Sequence, residues 1–335
     1  MGTRIAINGF GRIGRMVLRA LVESGKNDLE IVAINDLAEA GRLAHLLKYD
    51  SVHGRFDAKI EASDTHITVN GYDIQCLSER NPENLPWTKL GIDIVMECTG
   101  FFLTQDLCGK HIMAGAKRVL MSAPAKDDTK TVVYGVNDNV IDASDVFVSN
   151  ASCTTNALAP LLSVLHSQYG VSCGLMTTVH AYTGDQPTLD AMHKDPYRGR
   201  AAALSMIPTT TGAAKAIGKV LPELDGKLDG VAVRVPVPNV SMVDLTVTTE
   251  KPADPDEVRK TFKLASDSGL KGVLGYVDDP LVSSDMNHDP RSSNFVADQV
   301  YVNQNHLVRV MAWYDNEWGF SNRMLDTARV MATYL

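Results

Sequence analysis

Between Arg4 and Asp36 the chain spells out one strand–helix–strand unit, and that unit restricts the architectures open to everything after it. Arg4-Ile-Ala-Ile-Asn8 alternates like a strand, and Gly9-Phe-Gly11-Arg-Ile-Gly14 then opens a helix whose Ile13, Met16, Val17, Ala20 and Leu21 share one face. Glu30-Ile-Val-Ala-Ile-Asn35 is a second strand, ending at Asp36. Two strands joined through a helix run parallel. Short strands at Ile92-Asp-Ile-Val-Met96, Arg118-Val-Leu-Met121 and Thr131-Val-Val-Tyr134, with helical stretches from Gly41 to Leu47 and from Cys108 to Ala114, extend the pattern to a largely parallel, doubly wound sheet.

The three glycines follow a strand and open a helix, and Asp36 ends the next strand about 20 residues further on, the arrangement that binds a dinucleotide. Glycine lets backbone approach a pyrophosphate, the helix N-terminus stabilises its charge, and the carboxylate accepts from the adenosine ribose while repelling a 2′-phosphate. Gly9, Gly11, Gly14 and Asp36 are therefore candidate contacts for NAD rather than NADP. Alone, such glycines would as readily make a turn, and Asp36 a strand-end cap.

Ser149-Asn-Ala-Ser-Cys153-Thr-Thr-Asn156 places a thiol where the strand Val146–Val148 gives way to a helix. Leu158, Leu161, Leu162 and Leu165 carry the helical repeat until Gly170. Unpaired N–H groups and the partial positive charge of a helix start favour thiolate, so Cys153 is a candidate nucleophile; moving its pKa from about 8.5 to about 6, as a nearby imidazole could, would make it largely thiolate at pH 7. Its polar flanks, Ser152, Thr154, Thr155 and Asn156, suit an anion better than an apolar core, the usual place for a free cysteine. His180 ends the strand Gly174–Val179, where a ring can point into a cleft, although a structural histidine reads the same way in isolation. No histidine spacing suits zinc, and no metal is expected.

Past Cys153 the strands lengthen, as in Val231-Ala-Val-Arg-Val235, Met242–Thr248 and Leu307–Trp313, and a mixed or antiparallel sheet is expected in a second domain. Arg234 lies inside one of these apolar strands, where an unpaired charge is costly. Tyr182 to Ala201 has no sustained period and is expected to be a long ordered loop. Phe320, Met324, Ala328, Met331 and Leu335 stripe a final helix. At 335 residues and 44% hydrophobic the chain has material for two domains. Its net charge of −8 argues against a broad nucleic-acid-binding surface, and no apolar run is long enough for a membrane span. Five cysteines without Cys-x-x-Cys fit reduced thiols in the cytoplasm.

Asn8–Gly14, Ala33–Asp36, Lys48-Tyr-Asp-Ser-Val-His-Gly54, Ser149–Asn156, Thr209-Thr-Thr-Gly-Ala-Ala-Lys215 and Trp313-Tyr-Asp-Asn-Glu-Trp-Gly319 together resemble phosphorylating glyceraldehyde-3-phosphate dehydrogenases. The resemblance runs from the first strand to the last helix. It implies a Rossmann-type NAD-binding domain over 1–152, completed by the C-terminal helix 316–335, and an α+β catalytic domain over 153–315. It implies a Cys153 hemithioacetal and thioester, with His180 as base, converting D-glyceraldehyde 3-phosphate and inorganic phosphate to 1,3-bisphosphoglycerate. By the same resemblance Thr183 and Arg234 hold the substrate phosphate, and Ser152, Thr154, Arg198, Thr211 and Gly212 the attacking phosphate. Arg12 and Ile13 lie under the pyrophosphate, Arg80 and Ser122 near the adenine and nicotinamide sides, and Asn316 bonds the nicotinamide carboxamide. A homotetramer is implied.

Two positions depart from common family patterns. Ala157 stands where many members carry a second cysteine, and Ala191-Met192 where bacterial NAD-using members often have Leu-Pro. Rival readings are erythrose-4-phosphate dehydrogenase and, in a different class, a non-catalytic nucleotide-binding or interaction protein that retains the fold.

Overall fold

The computed structural model describes residues 2–335, which form two compact units. The first comprises residues through Val132, Asp138–Ala151 and Ser321–Leu335; the second comprises Val133–Asn137 and Ser152–Phe320.

The first unit is built on a nine-stranded sheet of β1 (Thr3–Asn8), β2 (Leu29–Asn35), β3 (Ile60–Ala62), β4 (His66–Val69), β5 (Tyr72–Leu77), β6 (Ile94–Glu97), β7 (Arg118–Met121), β8 (Lys130–Thr131) and β9 (Phe147–Ser149). Its order is β8-β9-β7-β6-β1-β2-β5-β4-β3. Pairing is parallel from β8 to β5 and antiparallel at the β5-β4-β3 edge. Strand β1 has β2 on one side and β6 on the other, so the loop leaving its carboxyl end sits at a topological switch point, where open α/β sheets bind ligands. The helices α1 (Arg12–Ser24), α2 (Ala40–Lys48) and α3 (Gln105–Met113) accompany this sheet. Met16, Val17 and Ala20 form the buried stripe of α1, at the spacing the sequence leads one to expect.

A polar chain runs through this core. Trp87 Nε1 donates to His111 Nδ1 at 3.0 Å, His111 Nε2 lies 3.2 Å from Glu97 Oε2, and Asn8 Nδ2 donates to that oxygen at 2.6 Å. Because Trp87 can only donate, the ring proton of neutral His111 sits on Nε2 and points at Glu97. Glu97 thus holds the end of β1 just before the glycine loop.

The second unit contains α4 (Cys153–Tyr169), β10 (Val171–Ala181), β11 (Ile207–Thr210), α5 (Ala213–Val220), β12 (Leu228–Val235), β13 (Ser241–Thr249), α6 (Pro255–Asp267), β14 (Leu274–Val277), β15 (Ser293–Val296) and β16 (Leu307–Tyr314), followed by α7 (Trp318–Ala332), which enters the first unit at Ser321. Its strands form one mixed sheet in the order β11-β12-β10-β13-β16-β15-β14. β10 pairs parallel with β12 and antiparallel with β13. Leu158, Leu161, Leu162 and Leu165 of α4 are fully buried, and the helix packs on β10, β13, β15, α5 and α6.

The α/β class with a parallel-dominated first sheet and a mixed second sheet is as the sequence implies. Two local expectations are corrected. The strand expected at Thr131–Tyr134 stops at Thr131, because Val133 N donates to the Asn137 side chain and the chain turns. Leu335 does not extend the last apolar stripe; α7 ends at Ala332 and Leu335 is exposed.

Candidate active site

Cys153 is the first residue of α4, and Ser152 is its N-cap, the Ser152 Oγ accepting from Thr155 N at 3.1 Å. Just before the cap, Ala151 sits in the left-handed region with φ 57°, a conformation costly for a residue with a Cβ. The half-buried thiol thus stands at the positive end of a helix, and strained backbone at the approach is the kind of feature that functional sites retain.

His180 lies near the end of β10, in register beside Arg234 of β12. Its Nδ1 is 2.7 Å from Ala181 O, and a carbonyl oxygen only accepts, so the ring proton is on Nδ1. The bare Nε2 faces Cys153 Sγ at 3.5 Å. Tyr314 meets the His180 ring edge-on at 5.9 Å and shares hydrogen bonds of 2.9 Å with the hydroxyls of Thr154 and Thr178.

Burial pushes the Cys153 thiol up from its usual range, while the Arg234 guanidinium and hydrogen bonds from Thr154 pull it down. Burial, together with Arg234, takes His180 down to about 3. Desolvation thus works against the thiolate that the helix terminus, Arg234 and Thr154 favour. Proton transfer along the Sγ–Nε2 contact makes both charges together, each offsetting the other's burial, so the imidazole is placed to serve as the thiol's base.

Two groups of anion-binding candidates emerge. Arg234 Nη1 donates to Ala181 O at 3.0 Å and to Thr183 Oγ1 at 2.9 Å, and its buried Nε has no hydrogen-bond partner. Thr183 in turn donates to Asp185. Arg198 donates from Nε to Thr209 Oγ1 at 3.0 Å and from Nη2 to Thr210 O at 3.3 Å, and its Nη1 is 3.3 Å from Asp185. Thr211 and Gly212 follow directly, Gly212 being the N-cap of α5 without a side-chain cap. Arg198, Thr211 and Gly212 are thus brought together, and Arg234 with Thr183. Ser152 and Thr154 stand with Cys153 instead, their hydroxyls engaged by Thr155 and Tyr314.

In the first unit, a cleft of about 420 Å³ is lined by Gly9, Gly11, Asp36 and Arg80 together with Thr99 and Phe101. Gly9 has φ +91°, and a Cβ on Gly14 would come within 2.3 Å of Gly9 O, so neither position tolerates a side chain. No side chain caps α1, whose N-terminus opens on the glycine loop, and Asp36 Oδ2 accepts from Phe10 N at 2.8 Å. This open loop, uncapped helix and carboxylate fit a dinucleotide. Ile13 is half-buried in the first turn of α1. Arg12 is paired with Asp50 at 2.5 Å; burial works to raise Asp50, and the Arg12 bond and two backbone N–H groups outweigh it, holding that carboxyl at about 2. Ser122 follows β7, its N donating to Glu97 O at 3.0 Å. Asn316, in the second unit, is buried, and its Oδ1 accepts from Ser241 Oγ at 2.8 Å.

Residues 3–105 match the sequence model described as the glyceraldehyde 3-phosphate dehydrogenase NAD binding domain, and residues 152–316 match its C-terminal domain. The chain belongs to the glyceraldehyde-3-phosphate dehydrogenase family. It is 58% identical over 335 residues to the glyceraldehyde-3-phosphate dehydrogenase of Cereibacter sphaeroides, covering 100% of both chains. Identity to the proteins of the same name from Xanthobacter flavus and Geobacillus stearothermophilus is 56% and 52%, over 99% of each chain.

Within this dehydrogenase fold, Ala157 is fully buried as a small packing residue, and Met192 of the long loop is wholly exposed. The sequence reading passed over Asp185 and Tyr314. Tyr314 lies in the quoted Trp313–Gly319 block on a strand with inward alternation, which was the available signal. Asp185 had none, because its significance rests on the two arginines that the fold brings to it.

Proposed function

We propose that the chain catalyses NAD-dependent oxidation of D-glyceraldehyde 3-phosphate, coupled to inorganic phosphate and yielding 1,3-bisphosphoglycerate, with Cys153 as nucleophile and His180 as base. The observation that carries this reading is the 3.5 Å contact between Cys153 Sγ and a His180 Nε2 whose other nitrogen is fixed on Ala181 O. His180 takes the thiol proton as sulfur bonds the aldehyde carbon, and returns it to the oxygen to complete a hemithioacetal. The bound NAD supplies the hydride acceptor. His180 then removes the hydroxyl proton as the carbon is oxidised, leaving a Cys153 thioester. Phosphate oxygen attacks the thioester carbon, the carbon–sulfur bond breaks, and the acyl phosphate departs.

Arg234 and Thr183 take the substrate phosphate, supported by the unpartnered Nε of Arg234. Arg198, Thr211 and Gly212, with Ser152 and Thr154, take the attacking phosphate. In the cofactor set, Gly9, Gly11, Ile13 and Gly14 cradle the pyrophosphate. Arg12 acts there through its pairing with Asp50. Asp36 bonds the ribose, Arg80 and Ser122 flank the ring systems, and Asn316 bonds the carboxamide. The NAD-binding domain is assigned to 1–152 with 316–335, and the catalytic domain to 153–315.

A homotetramer is supported by apolar surface that a monomer would leave wet. Leu189, Met192, Leu204 and Met206 of the loop region and Leu175 and Val231 of the sheet are exposed. A cytoplasmic location fits five free cysteines, and among the described residues no helix is long and apolar enough to cross a membrane. The test is NADH formation with aldehyde, NAD and phosphate omitted in turn. Loss of sustained turnover without any one of them is expected; full turnover without phosphate, or preference for erythrose 4-phosphate, would overturn the assignment.

A further inference from the structure

We infer that Ser241 is a positioning residue that decides which end of the Asn316 amide faces the nicotinamide, an inference that rests on the assignment of Asn316 above. Ser241 opens β13 and is 1% exposed. Its Oγ receives Ala181 N–H at 3.0 Å and lies 2.8 Å from Asn316 Oδ1. The buried hydroxyl's one proton has Asn316 Oδ1 as its acceptor, and a flipped amide would leave that proton without one. Oδ1 is thereby committed as an acceptor, and the amide is held with Nδ2 turned the other way, as a donor.

The backbone around Asn316 is fixed separately. Asp315 Oδ1 accepts from Glu317 N at 3.0 Å and Trp318 N at 2.8 Å, and Asp315 Oδ2 from Asn239 Nδ2 at 2.8 Å and His288 N at 2.7 Å. What remains open to the side chain is the amide flip, which exchanges donor and acceptor with almost no change of shape. Ser241 settles it. A nicotinamide carboxamide offers a carbonyl to a donor and an NH₂ to an acceptor, so an Asn316 held as a donor would select its carbonyl, whereas a flipped one would select its NH₂.

The same hydroxyl joins the amide to the catalytic pair. The Ala181 peptide gives its N–H to Ser241, while its carbonyl accepts from His180 Nδ1 at 2.7 Å and Arg234 Nη1 at 3.0 Å. One peptide group therefore sets the base, the substrate-side arginine and, through Ser241, the cofactor-side amide.

The experiment measures calorimetric binding of NAD and of ADP-ribose, which lacks the nicotinamide, to the full chain and to its Ser241→Ala, Asn316→Ala and doubly substituted forms. Loss of one net hydrogen bond weakens NAD about tenfold in Ser241→Ala. ADP-ribose affinity should stay unchanged, and the double variant should bind NAD no more weakly than Asn316→Ala. Equal losses for both ligands, a further loss in the Asn316→Ala background, or wild-type NAD affinity in Ser241→Ala beside an impaired Asn316→Ala would overturn the role of Ser241 alone. Wild-type NAD affinity in Asn316→Ala would instead overturn the assignment of the amide, and the positioning role with it.

Discussion

Replacing Arg234 by leucine separates recognition of the substrate phosphate from the chemistry at sulfur. In the protein its Nη1 is already engaged by Ala181 O and Thr183 Oγ1, whereas Nε is buried without a partner. Nε and the second terminal nitrogen together can give a phosphate the two parallel bonds of a guanidinium fork. At about 1.5–3 kcal/mol for each charge-assisted bond, losing both costs about 3–6 kcal/mol, or a ~10²–10⁴-fold fall in kcat/KM for glyceraldehyde 3-phosphate. Glyceraldehyde without the phosphate should lose less than about tenfold, only the share by which Arg234 favours ionised Cys153. That share has its own readout. Arg234 is the largest influence pulling the thiol down, so its removal moves the pH dependence of Cys153 alkylation by iodoacetamide to higher pH. Equal proportional losses for the two aldehydes would refute the assignment of Arg234 to the substrate phosphate.

His180→Asn should cut kcat/KM by about 10²–10⁴-fold, read by stopped-flow kinetics. His180 sits at about 3 in the fold, below the ~6.5 of an unfolded histidine, so the unfolded state binds the extra proton. Its contribution to stability is complete above pH 6.5 and is lost as pH falls toward 3; urea midpoints of His180→Asn should decline less across that window. Asp36→Ala removes the acceptor for Phe10 N and the charge facing a 2′-phosphate, so KM for NAD should rise and the NADP-to-NAD ratio of kcat/KM should increase by about tenfold or more. Ser152→Ala removes the N-cap of α4 and should cost about 1 kcal/mol, measured as a lower Tm.

The βαβ opening, the cysteine helix and the mixed second sheet were legible because each rests on local periodicity or on a glycine that backbone geometry demands. Strands β3 and β4 were not read because 3 and 4 residues are too few to establish a period, and the six-residue β5 was passed over because only Ile74 within it is buried. The helices α5 and α6 were passed over as well: the first is only 8 residues long, and the second buries little beyond Val258, Phe262 and Ser266. At the site, the sequence offers Cys153 and His180 as nucleophile and base but carries no sign of the balance that acts on the thiol. Its ionisation depends on how much water the fold removes and on Arg234, which lies far away along the chain. Nor does the sequence around Arg12 point to Asp50, with which the fold pairs it. Spatial partners of this kind, like the Trp87–His111–Glu97 chain, leave no mark at any fixed sequence spacing.

Whether acyl transfer runs through Cys153 is tested most directly by mass spectrometry of the Cys153 peptide after mixing the enzyme with glyceraldehyde 3-phosphate and NAD in the absence of phosphate. A phosphoglyceroyl thioester on Cys153, formed with one NADH per chain and discharged when phosphate is added, is the expected result. Continued NADH production with Cys153 unmodified would contradict it.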